Sequence, residues 1–318
     1  MPDNTDSQLD ISFVIPCYNS AGTIADVTAQ ILAAMSQRPA YSFEIILVND
    51  NCRDATFAVI EKLAGEYPCV KGICLSRNFG QHGAILAGLA QSRGALALMA
   101  DDDGQTPLDE LFKLIDKLEE GYDVVFASYG HKKHSAFRNF GTAVNLWMAR
   151  LLIGRPKDIF LSSFFVVRRF IVDEMLRYSN PYPYIAGLIL RATRNIANVE
   201  VTHRERMAGE SNYTFFKLIK MWLNGFTAFS VKPLRFAIVA GVIFALFGFL
   251  LGAYTVVHRL LNPAVPLGYS SMMAVQLFTG GMIMLILGMA GEYIGRIYIS
   301  LNNAPQYVVR ETVNIEKE

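Results

Sequence analysis

Charge is what this sequence has least of. Asp, Glu, Lys and Arg together make up 18% of its 318 residues, against about a quarter in ordinary soluble domains. The deficit has an address: from Phe236 to Gly291 the only residue of those four types is Arg259. The chain also lacks a charge of one sign. With 29 Lys and Arg against 28 Asp and Glu, no basic excess exists to hold a polyanion, and no nucleic-acid partner is expected. Its 52% apolar content argues against intrinsic disorder. Cysteine is scarce: Cys17, Cys52, Cys69 and Cys74 form no Cys-x-x-Cys pair and have no histidine at metal-ligand spacing. That speaks against a zinc site or disulfide framework and leaves reduced, structural thiols. A Gly-x-x-x-x-Gly-Lys-Ser/Thr loop and a Gly-x-Gly-x-x-Gly turn after a strand are both missing, which weighs against P-loop ATPases and dinucleotide enzymes. No internal repeat or low-complexity segment is present. The N-terminal Met1 to Asp10 is polar and acidic, and the apolar Ile11 to Ile15 is too short for a signal-peptide core, so the first domain is expected to stay in the cytoplasm.

The uncharged region divides into two runs, Phe236 to Val257 and Ser271 to Gly291. A helix needs about 20 apolar residues to cross the hydrocarbon core, so each run reads as a membrane span and the pair as a hairpin. Asn262, Pro263 and Pro266 mark the turn between them. Lys217, Lys220, Lys232 and Arg235 precede the first span and Arg296 follows the second, while only Arg259 lies by the turn. This asymmetry predicts both ends on the cytoplasmic side of the inner membrane. Gly280, Gly281 and Gly288 suit close helix packing and association with further copies of the chain. Two stretches mix aromatic, apolar and basic residues: Phe215 to Phe226 with Trp222, and Phe140 to Leu152 with Trp147 and Arg150. Such mixtures suit helices lying in the membrane interface more than the core face of a soluble helix. The expected organisation is a cytoplasmic domain over 1–214, a juxtamembrane amphipathic segment over 215–235, the hairpin over 236–291 and a cytoplasmic tail over 292–318.

The first domain alternates between two periodicities. Ile11–Pro16, Phe43–Val48, Val70–Leu75, Ala95–Ala100 and Asp123–Ser128 are short apolar or β-branched runs. Between them Thr23–Met35, Asp54–Tyr67, Gly83–Ser92 and Leu108–Glu119 carry helical spacing. The fold class is therefore α/β, with a mostly parallel sheet covered on both faces and ligands expected beyond the carboxyl ends of the strands. Polar residues follow the strands there: Tyr18 and Asn19, Asp50, Arg77 and Asn78, and Asp101 to Gln105. The sharpest of these is Ala100-Asp101-Asp102-Asp103-Gly104-Gln105. Hard oxygen ligands grouped at the end of a buried strand suit Mg²⁺ or Mn²⁺, with Asp101 and Asp103 sharing the ion and Asp102 directed elsewhere. An acidic turn would also cap the helix that follows Pro107.

In order along the chain stand Val14-Ile15-Pro16-Cys17-Tyr18-Asn19, Val48-Asn49-Asp50-Asn51-Cys52-Arg53-Asp54, Asp101-Asp102-Asp103-Gly104-Gln105 and Arg206-Met207-Ala208-Gly209-Glu210-Ser211-Asn212-Tyr213. After the spans comes Gly291-Glu292-Tyr293-Ile294-Gly295-Arg296. Together these resemble the inverting family-2 glycosyltransferases of the GT-A fold, specifically the enzymes that glycosylate polyprenyl phosphates. The resemblance covers nearly the whole chain. It departs at Asn49, where an Asp is usual, at Ser20, where a Glu often stands, and at Cys52, where a Ser is usual.

The resemblance implies a nucleotide-diphosphate sugar, a UDP-sugar, as donor and polyprenyl (undecaprenyl) phosphate as acceptor. The donor's base and ribose would lie by Pro16, Tyr18, Asn19 and Asp50, with Asn78 and Gln81 also on substrate. Asp101, Asp103 and Gln105 would serve the metal and the catalysis around it. Arg206 and Ser211 would close over the phosphates, Arg138 and Arg206 would hold the acceptor phosphate, and Asp158 would act as base or sugar contact. His82 and His203 offer contacts to phosphate or sugar, although a lone histidine is more often structural. A processive synthase needs a conduit that two spans hardly supply. A noncatalytic tether that binds nucleotide sugars would survive Asp103→Asn, whereas an enzyme would not. A chain ended before the spans is expected to keep nucleotide binding.

Overall fold

Seven residues, Ile11–Cys17 (β1), are all buried. A strand covered on both faces has no polar side, which is why this one reads as a continuous apolar run instead of an alternating one. The computed structural model describes residues 9–129, 159–181, 183–202, 232–261, 268–302 and 304–315. The chain forms two compact units: one of Met1–Phe215 with Asn303–Glu318, the other of Phe216–Asn302.

In the first unit, β1 is followed by Ile24–Met35 (α1), Phe43–Asn49 (β2), Thr56–Glu66 (α2), Val70–Leu75 (β3), Gln81–Gln91 (α3) and Leu96–Met99 (β4). Leu111–Glu119 (α4), Val124–Tyr129 (β5), Phe165–Arg168 (β6), Arg169–Leu176 (α5), Ile185–Ala192 (α6), Ile196–Val201 (β7) and Val309–Val313 (β8) complete it. The sheet order is β7-β5-β6-β4-β1-β2-β3-β8. Pairings β1–β2, β1–β4, β2–β3 and β5–β7 are parallel; β4–β6, β5–β6 and β3–β8 are antiparallel. The expected mostly parallel sheet is thus present.

Alternate β1 residues serve opposite faces. Ile11, Phe13 and Ile15 join Ile24, Val27 and Ile31 of α1 and Leu111, Leu114, Ile115 and Leu118 of α4 in one core. The α4 residues recur at helical spacing, so one stripe is buried and the opposite face stays wet. On the other face α3 lies so close that a methyl at Gly88 would collide with Val14 Cγ1. That close approach brings the first turn of α3 to the carboxyl ends of β1 to β4.

Two features differ from the sequence reading. β6 enters antiparallel between β4 and β5, pairing Phe165 with Met99 and Phe126. Its start therefore lies beside the end of β4, which matters below. The expected tail over 292–318 is divided: a helix runs to Leu301, and Val309–Val313 returns as edge strand β8 with Val313 opposite Gly72 and Thr312 opposite Ile73. A short segment with one exposed charge pattern carries too little periodicity to announce a strand; only its partner β3 reveals it.

In the second unit, Lys232–Leu261 (α7) and Tyr269–Leu301 (α8) extend the expected spans at both ends. Both are long and apolar enough to cross a membrane. Phe249 is 73% exposed, Leu260 76% and Met284 77%, values that suit lipid contact and not a soluble core. Phe244 packs edge-on against Phe278 at 5.3 Å, and a methyl at Gly241 would sit 3.4 Å from Ile286 Cδ1. Among the described residues, none comes within 4 Å of where a methyl at Gly280, Gly281 or Gly288 would stand.

Candidate active site

The polar loops after β1, β2, β3 and β4 are tied to one another by side-chain bonds to backbone. Asp50, buried at the end of β2, accepts the Phe79 N–H at 2.7 Å and the Gly80 N–H at 2.8 Å. It thereby holds the entry to α3, where Gly80 has a positive φ of 81° that favours glycine. Asn19, at φ 56°, gives its N–H to Cys52 Sγ at 3.1 Å. Ser20 N–H donates to Thr56 Oγ1 and Ala21 N–H to Asp54, so the loops after β1 and β2 form one body.

The acidic turn has a division of labour. Asp101 receives Gln81 Nε2 on Oδ1 at 2.9 Å and Ser163 Oγ on Oδ2. Gln81 comes from the first turn of α3 and Ser163 from the residues leading into β6, which the antiparallel pairing with β4 delivers to this spot. Asp102 accepts the Tyr18 N–H at 2.8 Å, and its carbonyl accepts Thr23 Oγ1 at 2.6 Å. Asp103 Oδ1 accepts the Gln105 N–H at 3.0 Å, which closes the turn through Gly104 at φ 73°.

Burial shapes the electrostatics. Desolvation pushes the Asp101 carboxyl up to about 6, against the bonds from Ser163 and Gln81 and with help from Asp103 and Asp102. Burial likewise raises Asp102 and Asp50. Tyr129 is pushed up to about 12 by burial first and then by Asp101 and Asp103. Burial holds His82 down to about 4, hence neutral, with its ring edge-on to Tyr184 at 5.3 Å. Asp102 and Asp103 crowd the Asp101 carboxylate and raise it, a repulsion that a divalent ion would relieve. Among the described residues, no three His, Cys, Asp or Glu side chains converge to enclose an ion. Carboxylates in ones and twos are donors of the kind Mg²⁺ or Mn²⁺ takes alongside water and phosphate.

The structure brings Tyr18, Asn19, Asp50, Gln81, Asp101 and Asp103 to linked loops at this edge. Asn78 is exposed beside them, and Gln105 is fixed through its backbone. Pro16 is a buried β1 residue opposite Val48. Asp158, Arg138, Arg206 and Ser211 lie outside the described residues, as do His203 and the two aromatic and basic stretches. Sequence reasoning missed Ser163, Thr23 and Thr106, the last of which takes the Asp101 N–H at 3.3 Å. Ser163 stood in view, directly before the apolar run Phe164 to Val167, but only the antiparallel register of β6 places it against Asp101.

Comparison with known proteins bears on this arrangement. The glycosyl transferase family 2 profile matches residues 12–176, from the second residue of β1 through β6 and α5, the acidic turn included. This chain belongs to glycosyl transferase family 2. The GtrB C-terminal hairpin profile matches residues 232–297, over α7 and most of α8. Among relatives of the family-2 chain is the glycosyltransferase YkcC of Bacillus subtilis, 33% identical over 98% of this chain and 96% of that protein. The undecaprenyl-phosphate 4-deoxy-4-formamido-L-arabinose transferase of Proteus mirabilis is 33% identical over 96% and 95% of the two chains. The bactoprenol glucosyl transferase of Shigella phage SfII is 30% identical over 96% and 98%. The glucosyl-3-phosphoglycerate synthase of Mycobacterium tuberculosis, solved with Mn²⁺, UDP and phosphoglyceric acid, shares the fold at a TM-score of 0.50. It is 19% identical over 68% of this chain and 75% of that one. The α/β fold of this family-2 glycosyltransferase is GT-A-like, with two apolar helices after it.

Proposed function

We propose that the enzyme moves one sugar from a nucleotide-diphosphate sugar, a UDP-sugar, to undecaprenyl phosphate at the cytoplasmic face of the inner membrane. The observation that carries this reading is the end-to-end similarity to bactoprenol glucosyl transferase, hairpin included. An acceptor that never leaves the bilayer explains why a transferase should carry its own anchor. β7, which precedes the hairpin, and β8, which follows it, belong to one sheet. Two crossings between them support a topology with both soluble segments on the same side.

The chain's own residues suit the reaction. Asp50 fixes the loop before α3, and Tyr18 and Asn19 frame the opening in which the base and ribose would lie. Asp101 and Asp103, with Gln105, would hold Mg²⁺ or Mn²⁺. When bound, that ion would neutralise the charge gathering on the departing nucleoside diphosphate. The acceptor phosphate is anionic near neutral pH, so its oxygen attacks the anomeric carbon without a strong base. As that bond forms, the bond to the diphosphate oxygen breaks and the leaving group departs with the electron pair. Attack from the opposite face inverts the anomeric centre. Positioning and charge stabilisation then supply most of the rate. Arg138 and Arg206 suit the acceptor phosphate because a planar guanidinium matches its oxygens. Ser211 would help close over the donor phosphates, and Asp158 would contact the sugar or take a proton.

The test is a mass-spectrometric assay of the purified protein in lipid with Mg²⁺, undecaprenyl phosphate and UDP-, GDP- and dTDP-sugars. A glycosyl-phosphate lipid made from a UDP-sugar is expected. Retained nucleotide-sugar binding with no lipid product from any donor would overturn the acceptor assignment.

A further inference from the structure

The segment that follows α8 reaches the same edge of the sheet as the acidic turn. β8 runs antiparallel to β3, so its leading residues lie at the carboxyl end of β3, where Ser76 N–H donates to Val308 O at 2.9 Å. Just before it, the Gln306 carbonyl lies over the first turn of α3, 3.0 Å from where a methyl at Gly83 would be. The Gln306 side chain points the other way: its Nε2 donates to Tyr178 O at 2.5 Å and Asn180 O at 2.8 Å, on the loop between α5 and α6. Tyr184 of that loop meets His82 of α3 edge-on. Residues 304–308 thus form a strap held between the α5–α6 loop and α3.

The first turn of α3 is where the site is assembled. Gln81 leaves it to reach Asp101, and the Phe79 and Gly80 amides entering it hold Asp50. We propose that Gln306 is a positioning residue for the donor site: it braces the strap that fixes this turn, and so fixes both aspartates. The inference rests on the reading of this edge as the nucleotide-sugar site. It makes the segment after the hairpin part of the donor-binding apparatus, although it touches no reacting atom.

The experiment uses the full chain in lipid and compares Gln306→Ala with Asn314→Gly. Asn314 makes two side-chain bonds of the same kind, to Ala64 O and Val70 O, at the far end of β8, and glycine accepts its positive φ of 57°. Affinity for UDP, GDP and dTDP is titrated with Mn²⁺, and hydrogen exchange is followed at the Phe79 and Gly80 amides. Loss of two neutral bonds predicts roughly two- to tenfold weaker nucleotide binding and faster exchange in Gln306→Ala. Gln306→Lys, which restores donors to both carbonyls, should recover most of each. Asn314→Gly should lower the melting temperature and leave affinity unchanged. Equal affinity and equal exchange in the folded Gln306→Ala and unsubstituted proteins would overturn the inference. Failure of the unsubstituted protein to bind any of the three nucleotides would overturn the donor-site reading, and this inference with it.

Discussion

Asp102 holds the Tyr18 backbone: its carboxylate accepts the Tyr18 N–H at 2.8 Å across 84 residues of sequence. Of three consecutive aspartates, the middle one is therefore a clamp between the β1 and β4 loops, and on the function proposed above its neighbours serve the metal. Substitution should separate these roles. Asp102→Asn keeps an acceptor for Tyr18 and should retain turnover within several-fold. Asp103→Asn keeps the bond to the Gln105 N–H and hence the turn, but removes a charge from the cation site. Its turnover should fall about a hundredfold or more with little change in melting temperature. Equal activity of the two variants would refute the division.

Asp101 gives this site a pH dependence. A free aspartate titrates near 3.8, whereas burial holds this one up to about 6. Between those values the folded chain carries the extra proton, so the group's contribution to stability is present below the lower value and lost as pH rises through the upper one. Divalent binding has the opposite sign, because the ion competes with that proton. The rise in melting temperature given by Mn²⁺ should be full at pH 7.5 and fade as pH falls through about 6, with Asp103 and Asp102 as the charged neighbours and Ser163 and Gln81 as the bonded ones that modulate it. A chelator should abolish both the rise and the transfer. A metal-induced shift unchanged between pH 7.5 and 5 would contradict the assignment of Asp101 as ligand.

The stability of the sheet rests in part on a buried ion pair at its other end. Glu44, whose side chain is 2% exposed, accepts Lys71 Nζ at 2.5 Å, Ser12 Oγ at 2.6 Å and the Arg93 N–H at 2.7 Å. Removing the carboxylate strands three donors. Glu44→Ala should cost about 3–5 kcal/mol in denaturant or thermal melts, and Glu44→Gln should cost less because it keeps acceptors for Ser12 and Arg93. The exposed Arg38–Asp116 pair makes the contrast: Asp116→Ala should cost no more than about 1 kcal/mol.

Much of this was legible in the sequence because buried parallel strands cannot hide. Ile11–Pro16 and Phe43–Val48 announce themselves as apolar runs, and the polar residues that end each strand must meet at one edge once the strands are parallel. The acidic turn was legible for the same reason. Ser163 was not, since its place depends on an antiparallel strand whose register no local pattern encodes. Gln306 and β8 were hidden more deeply. Their meaning arises only when a segment beyond two membrane-length helices pairs with β3, and periodicity within Val309–Val313 says nothing of so distant a partner. Cys52, which departs from the family pattern, turned out to receive the Asn19 N–H, a bond that a serine oxygen would also accept.

The return of β8 changes what truncation should do. A chain ended before the spans loses more than an anchor: the edge of β3 loses its pairing over Gly72–Leu75, and the Ala64 and Val70 carbonyls lose Asn314. Net bond energies of about 0.5–1.5 kcal/mol each put the loss at several kcal/mol, and an unpaired strand edge invites association with other copies. A soluble chain of residues 1–215 should therefore melt lower than the same chain rejoined to residues 303–318 through a long Gly/Ser linker. It should also aggregate more readily in light scattering. The rejoined form should bind nucleotide more tightly than the shorter form. If both forms melt and bind alike, β8 contributes nothing beyond covering an edge.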